Sequence, residues 1–316
     1  MITVESLNKQ YGSLAALHDI SFSVSKGQVL GLLGQNGAGK TSLLNIMAGY
    51  TPATSGQVCM NGNDLCSNPE NYKRQFGYLP DTPPLYPEMT VKEYLQFCCQ
   101  IKWVVKVQQP DHLQEIAELT GIVDVLHRRI GNLSRGYRQR VGFAQALVGT
   151  PDVLLLDEPT ASFDPTQAVE FRKTLRLLAK DHSIIFSTHI LAEVEAACDR
   201  VLILHRGHIL LDQTLQNLGP GRWLRFHLRV QGDPKVILPA LRGLPSVARI
   251  RQQKEETDTS TSALVVAYPD KRFERELFNL LSGLQAPILH LAPAGDSLED
   301  VFLRMTSQAD AEAVRA

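Results

Sequence analysis

The residues best suited to chemistry lie near the start of the chain. Gly34 to Ser42 read GQNGAGKTS, which fits G-x-x-x-x-G-K-[ST] directly after an apolar run and at the opening of a helical one. Gly34, Gly37 and Gly39 let the backbone curl so that amides, those of Asn36 and Ala38 among them, point inward at phosphate oxygens. The helix start adds positive partial charge. Lys40 then reaches the β- and γ-phosphates of ATP, the Thr41 hydroxyl ligates Mg²⁺, and Ser42 closes the loop. The plainer alternative, a Gly-rich turn with a stray lysine, does not account for the strand before it and the helix after it.

A second segment, VLLLDEP, sets Asp157 at the C-terminal end of an apolar strand, where α/β sheets bind ligands. Asp157 would hold the Mg²⁺ shell, and Glu158 would orient or deprotonate an attacking water. Two adjacent acids alone read equally well as a solvated strand end. The phosphate loop upstream decides for catalysis.

Between these segments lies Leu133-Ser134-Arg135-Gly136-Tyr137, followed by RQRVGFAQAL. Taken alone, Ser134 reads as the cap of an amphipathic helix. Its place just before the acidic strand resembles the LSGGQ-like signature of the ATP-binding-cassette (ABC) family. The resemblance covers Met1 to about Gly219. It implies that Ser134 and Gly136 face the γ-phosphate bound by a second subunit, that Tyr11 stacks on adenine, that Asp164 lies in a loop crossing the dimer interface, and that His189 contacts the γ-phosphate. Two departures stand out. GYLPD puts Asp81 where the family usually has a glutamine, and Arg135 and Tyr137 replace a glycine and a glutamine of the signature. Asp81 can still ligate Mg²⁺ directly or through water, but it repels the γ-phosphate more than an amide would.

These residues need elements to hold them. Short alternating strands broken at Gly12 and Gly27 are expected first, then a buried strand over Val29 to Leu33 and a helix from about Gly39 to Ala48, stopped by Gly49. Pro83 to Gly131 reads as a helical insert. Thr90 and Glu93 have capping-box spacing, Val91, Tyr94, Leu95, Cys98 and Ile101 form a stripe at helical period, and a second helix runs from about Asp111 to Thr120. Val153 to Asp157 and Ser183 to Thr188 read as central parallel strands. VLILHRGHILLD reads as a hairpin turning at Arg206-Gly207.

Gly219-Pro220 is the expected boundary, giving a nucleotide-binding domain over 1–219 and an accessory or regulatory domain over 220–316. The second domain reads strand (Trp223 to Val230), helix (Lys235 to Leu241), strand (Val247 to Gln252), strand (Ala263 to Tyr268), helix (Lys271 to Leu284) and strand (Ile288 to Leu291), a ferredoxin-like βαββαβ unit. Ser297 and Asp300 open a short helix in which Leu298, Val301, Phe302 and Met305 share a face. The fold class is therefore α/β, a P-loop NTPase of the ABC type with a helical subdomain, plus a small α+β domain.

Bulk composition fits this reading. The 316 residues exceed one small domain, and 44% apolar with 21% charged residues supplies a sizeable core. Lys plus Arg number 32 against 33 acids, a net charge of -1, which gives nucleic acid no large basic field. Five cysteines (Cys59, Cys66, Cys98, Cys99, Cys198) lack metal or redox spacing and read as reduced thiols of the cytosol. Met1 begins a strand-like stretch, not a signal peptide, and no apolar run reaches the roughly 18–20 residues that cross a bilayer.

The segments YLPDTPPLYPEMTVKEYL and SLEDVFLRMT resemble ATP subunits of ABC-2-type exporters, a branch that includes drug-efflux, gliding-motility and copper-enzyme-maturation systems. The resemblance implies an ATP-hydrolysing subunit that dimerises with a second copy around ATP and Mg²⁺ and energises an integral membrane ABC-2-type permease from the cytoplasmic face of the plasma membrane. The alternative is a soluble ABC-fold regulatory or assembly ATPase acting on a protein partner.

Overall fold

The structure, a computed structural model, describes residues 1–215, 224–253, 260–268, 272–293 and 298–315. The chain divides into two units, Met1–Leu215 and Gln216–Ala316. The Gly219-Pro220 boundary read from the sequence lies outside the described residues.

In chain order the first unit runs β1 (Ile2–Tyr11), β2 (Leu14–Val24), β3 (Val29–Leu33), α1 (Lys40–Met47), β4 (Ser55–Met60), β5 (Asn63–Asp64), α2 (Pro69–Arg74), β6 (Phe76–Leu79), α3 (Val91–Ile101) and α4 (Gln109–Thr120). It continues through α5 (Arg135–Leu147), β7 (Val153–Asp157), α6 (Pro165–Leu178), β8 (Ser183–Thr188), α7 (Leu191–Ala197), β9 (Arg200–His205) and β10 (His208–Thr214). A six-stranded sheet has the order β10-β9-β3-β8-β7-β6, parallel except for β10. Its central strands β3, β7 and β8 are buried at every residue, so their apolar runs are continuous rather than alternating. An antiparallel sheet, β2-β1-β4-β5, lies over it, and the core between them includes Ile2, Leu7, Ile20, Leu44, Met47, Leu155 and Ile185.

The structure adds β4, β5, β6, α2, α6 and α7 to the elements read from the sequence. Most are too short to display a period: β5 has two residues, β6 four and α7 seven. At α3 both halves of the capping box form between Thr90 and Glu93, and Val91, Tyr94, Leu95 and Cys98 are buried. Ile101 departs from the expected stripe. It is 57% exposed, because the helix ends there at the Lys102 cap, and Cys99 is buried in its stead. The second helix starts at Gln109, two residues early, and stops at Gly121 in the left-handed region. The β9–β10 hairpin turns at Arg206-Gly207, both with positive φ.

The second unit runs β11 (Leu224–Gln231), α8 (Pro234–Arg242), β12 (Val247–Gln253), β13 (Ser260–Ala267), α9 (Phe273–Gly283), β14 (Ile288–Pro293) and α10 (Leu298–Arg315). All pairings are antiparallel in the order β12-β13-β11-β14, the ferredoxin-like arrangement of a βαββαβ chain. Ile237, Leu241, Phe273, Leu277 and Leu281 pack on Phe226, Leu228, Val230 and Val265. Trp223, Lys271 and Ser297 lie outside the described residues. The last helix is not short: it spans 18 residues, with Leu298 and Val301 buried. Among the described residues no helix is long and apolar enough to cross a membrane.

Candidate functional site

Between β3 and α1 the chain follows a path that requires glycine at two positions. A Cβ at Gly34 would sit 2.4 Å from the Leu204 carbonyl oxygen, and Gly39, at φ 109, would bring one to 2.8 Å from that of Ala16. No side chain caps α1, and no acid occupies its first turn, so its leading amides and the positive end of its dipole face open space.

That space is a cleft of about 830 Å³, lined by Tyr11, Asn36, Gly37, Ala38, Gly39, Lys40, Thr41, Ser42, Asp81, Glu158 and His189. Gly34 sits just behind it and accepts a 2.7 Å hydrogen bond from Lys40 Nζ. Lys40 is 6% exposed; its ammonium also donates to the Gln35 carbonyl at 3.3 Å and meets Glu158 Oε1 at 3.3 Å. The other Glu158 oxygen lies 2.8 Å from His189 Nδ1. One carboxylate thus joins the phosphate loop to the end of β8.

Glu158 adopts φ 45, an uncommon conformation for a residue with a side chain, and its N–H donates to Ser187 Oγ at 2.9 Å. Ser187 in turn donates to Asp157 Oδ1 at 2.6 Å. The sequence reading missed Ser187. Its position opposite Asp157 follows from the register of β7 on β8, which only the paired strands reveal. Arg206, at the hairpin turn, is a second cleft residue it missed.

Asp157 is 1% exposed, and its Oδ2 is buried without a hydrogen-bond partner. Burial raises its carboxyl above the ordinary carboxylate range, opposed by the Ser187 and Thr41 hydroxyls and reinforced by Glu158 and Asp81. An acceptor left bare in such a place suits a hard cation. The nearby donors, Thr41 and Asp81, are likewise oxygens. Among the described residues no cluster of three or more His, Cys, Asp or Glu could hold a metal alone, so a cation here would draw further oxygens from water or from a phosphate ligand.

Tyr11, at the end of β1, is 43% exposed in the cleft with Lys9 Nζ 4.6 Å from its ring centre. Ser134, Gly136 and Asp164 do not line this cleft. Ser134 caps α5 by accepting from the Tyr137 N–H at 3.3 Å, and Asp164 caps α6 by accepting from that of Gln167 at 2.8 Å. A Cβ on Gly136 would lie 3.3 Å from the Ser162 carbonyl, so α5 begins close against the loop that follows Glu158. Tyr137, the unusual residue of this turn, donates its hydroxyl to Asp124 at 2.9 Å.

Comparison with known proteins bears on this geometry. The sequence profile of the ABC transporter family matches residues 17–161. The ABC transporter ATP-binding protein YxlF of Bacillus subtilis is 33% identical over 306 residues, covering 96% of this chain and 99% of that protein. The bacitracin transport ATP-binding protein BcrA of Bacillus licheniformis is 28% identical, covering 96% and 97%. The solved structure of an ATP-binding subunit of an ABC transporter superposes with a TM-score of 0.65 at 30% identity, covering 69% of this chain and 91% of the other.

Proposed function

This chain belongs to the ATP-binding proteins of ABC transporters, and from that premise we propose that it binds ATP with Mg²⁺ in the Lys40 cleft and drives export through a separate ABC-2-type membrane permease. The observation that carries the reading is the bridge that Glu158 makes between Lys40 and His189. In it a cation for phosphate, a base for water and a histidine for the γ-phosphate meet in one cleft.

Incoming phosphate oxygens take over Lys40 from Glu158 and the loop carbonyls, because a triphosphate offers it more negative charge. Glu158, released on that side, accepts a proton from the attacking water and remains oriented by His189. The loop amides and the start of α1 hold the β- and γ-phosphates. Thr41, Asp157 and Asp81 would hold Mg²⁺ through their oxygens, and the bound ion would offset the charge that develops on the phosphates. Tyr11 stacks on the adenine.

Ser134, Gly136 and Asp164 act in trans. Their position outside the cleft of their own chain supports a two-fold dimer in which the start of α5 closes the partner's site. ATP hydrolysis then reopens the dimer, and a permease converts opening and closing into transport.

The permease docks on the helical insert, Pro83 to Gly131. Trp103 is 76% and Ile101 57% exposed there, beside a groove of about 690 Å³ that also includes Tyr50, Arg74 and Lys102. This attachment places the chain on the cytoplasmic face of the membrane. The second unit serves regulation or dimer stability. Transport accords with the names of relatives such as the bacitracin transport protein, and its outward direction is part of the proposal. Copurification in mild detergent from native membranes tests the proposal. A multi-span membrane protein crosslinking to Trp103 or Ile101 is expected, whereas crosslinks confined to soluble proteins would point to an assembly ATPase.

A further inference from the structure

We propose that Glu193 is a positioning residue for ATP hydrolysis, holding the loop after Glu158 and the end of β8 in one register; this rests on the roles given above to Glu158 and His189. Glu193 sits in the first turn of α7 and is 5% exposed. Among the described residues no ion pair reaches it; a buried carboxylate survives only where hydrogen bonds replace water. Two threonine hydroxyls do so. Thr160 Oγ1 donates to Glu193 Oε1 at 2.5 Å, and Thr188 Oγ1 donates to Oε2 at 2.6 Å. Thr188 Oγ1 also accepts the Ile190 N–H at 3.0 Å, which commits its own proton to Glu193.

The sequence positions give the clamp its purpose. Thr160 lies two residues after Glu158, and Thr188 immediately precedes His189. Glu193 therefore bridges the same two strand ends that Glu158 and His189 join 2.8 Å apart, and it does so in the buried layer beneath them. His189 is half exposed and, among the described residues, its ring bonds Glu158 alone, so the backbone that carries it must be fixed from below. The clamp also reaches toward α6: the Thr160 carbonyl accepts the Phe163 N–H at 2.9 Å, one residue before the Asp164 cap. A buried side chain that does not line the cleft thus sets the geometry of the pair that does.

Steady-state and single-turnover ATP hydrolysis by the full-length protein test this, in the Glu193→Leu, Glu193→Gln, Thr160→Val and Thr188→Val variants and again with His189→Ala added to each, over times long enough to read the slow double variants. Glu193→Leu is expected to lower kcat roughly 10–100-fold, as small misplacements of reacting groups do, with KM for ATP within about twofold. Glu193→Gln, which can accept from one threonine and donate to the other, is expected to keep most of the rate. In the His189→Ala background Glu193→Leu should cost clearly less than it does in the wild type, because one member of the pair it positions is gone. Equal losses in the two backgrounds, a loss borne by KM, or Gln as damaging as Leu would overturn the proposal. If Glu193→Leu does not fold, the two threonine variants carry the same comparison. A wild-type rate in His189→Ala alone would instead refute the role of His189 on which the proposal stands.

Discussion

Nδ1 of His189 lies 2.8 Å from Oε2 of Glu158, tying the end of β8 to the residue that follows β7. The contact orients the ring, so that Nε2 points away from the carboxylate, and it leaves Glu158 with a partner when a phosphate claims Lys40. His189→Ala should therefore slow hydrolysis by roughly 10²-fold while ATP affinity changes little, since the loop and Lys40 still hold the phosphates. Fluorescent-nucleotide binding measured beside single-turnover rates separates the two quantities.

Asp81 brings a carboxylate to the cleft near Asp157, whose carboxyl it helps to raise. Asp81→Gln removes the like charge but keeps an oxygen donor, and it should preserve most ATPase activity. Asp81→Ala should shift the Mg²⁺ requirement upward more than it weakens ATP binding. Titrating Mg²⁺ at fixed ATP reads the difference, and an unchanged requirement in the alanine variant would reduce Asp81 to a loop residue.

In the proposed site Asp157 trades stability for function. Because burial raises its pKa above the ordinary 3.8, the folded protein carries a penalty at neutral pH that is relieved as pH falls through the folded value toward 3.8. Asp157→Asn keeps the acceptor for Ser187 and removes the buried charge. It should raise the melting temperature of the nucleotide-free protein at pH 7 by about 2–4 °C, flatten its rise in stability toward acid pH, and abolish Mg²⁺-dependent turnover. A lower melting temperature at pH 7 would mean that the charge is already compensated.

Much of this site is written locally. Lys40 and Thr41 follow from one nine-residue segment, since the glycines that shape the loop are adjacent in sequence to the groups it presents. Asp157 and Glu158 follow from the apolar run before them. Ser187 and Glu193 do not, because Asp157 and Thr160, to which they respectively bond, lie about thirty residues away and meet them only through strand pairing and the placement of α7. Ile101 misled for a related reason: helical period puts it on the buried stripe, but the helix ends at that residue. The ferredoxin-like order of the second unit was legible from the alternation of its elements, while the 18-residue length of α10 was not, its later turns, TSQADAEAVR, lacking large apolar residues at helical period.

The proposed composite site calls for a mixing experiment. Lys40→Ala disables the phosphate loop and Gly136→Asp the start of α5, so each chain alone should be inactive. A mixed dimer joins one doubly damaged site to one intact site, and hydrolysis should recover to as much as half of the wild-type rate per dimer if the two sites fire independently. A confirmed mixed dimer that cannot trap even one ATP would place the whole site within a single chain.

The most direct measurement concerns Glu158 itself. Glu158→Gln removes the proposed base but leaves Lys40, the loop amides and the start of α1 in place. The expected result is a protein that binds ATP with Mg²⁺ at least as tightly as the wild type, hydrolyses it roughly 10²–10⁴-fold more slowly, and accumulates as an ATP-bound dimer by light scattering. Lys40→Ala, assayed in parallel, should lose ATP binding itself. Hydrolysis by Glu158→Gln at the wild-type rate would contradict the assignment of Glu158 as the base between Lys40 and His189.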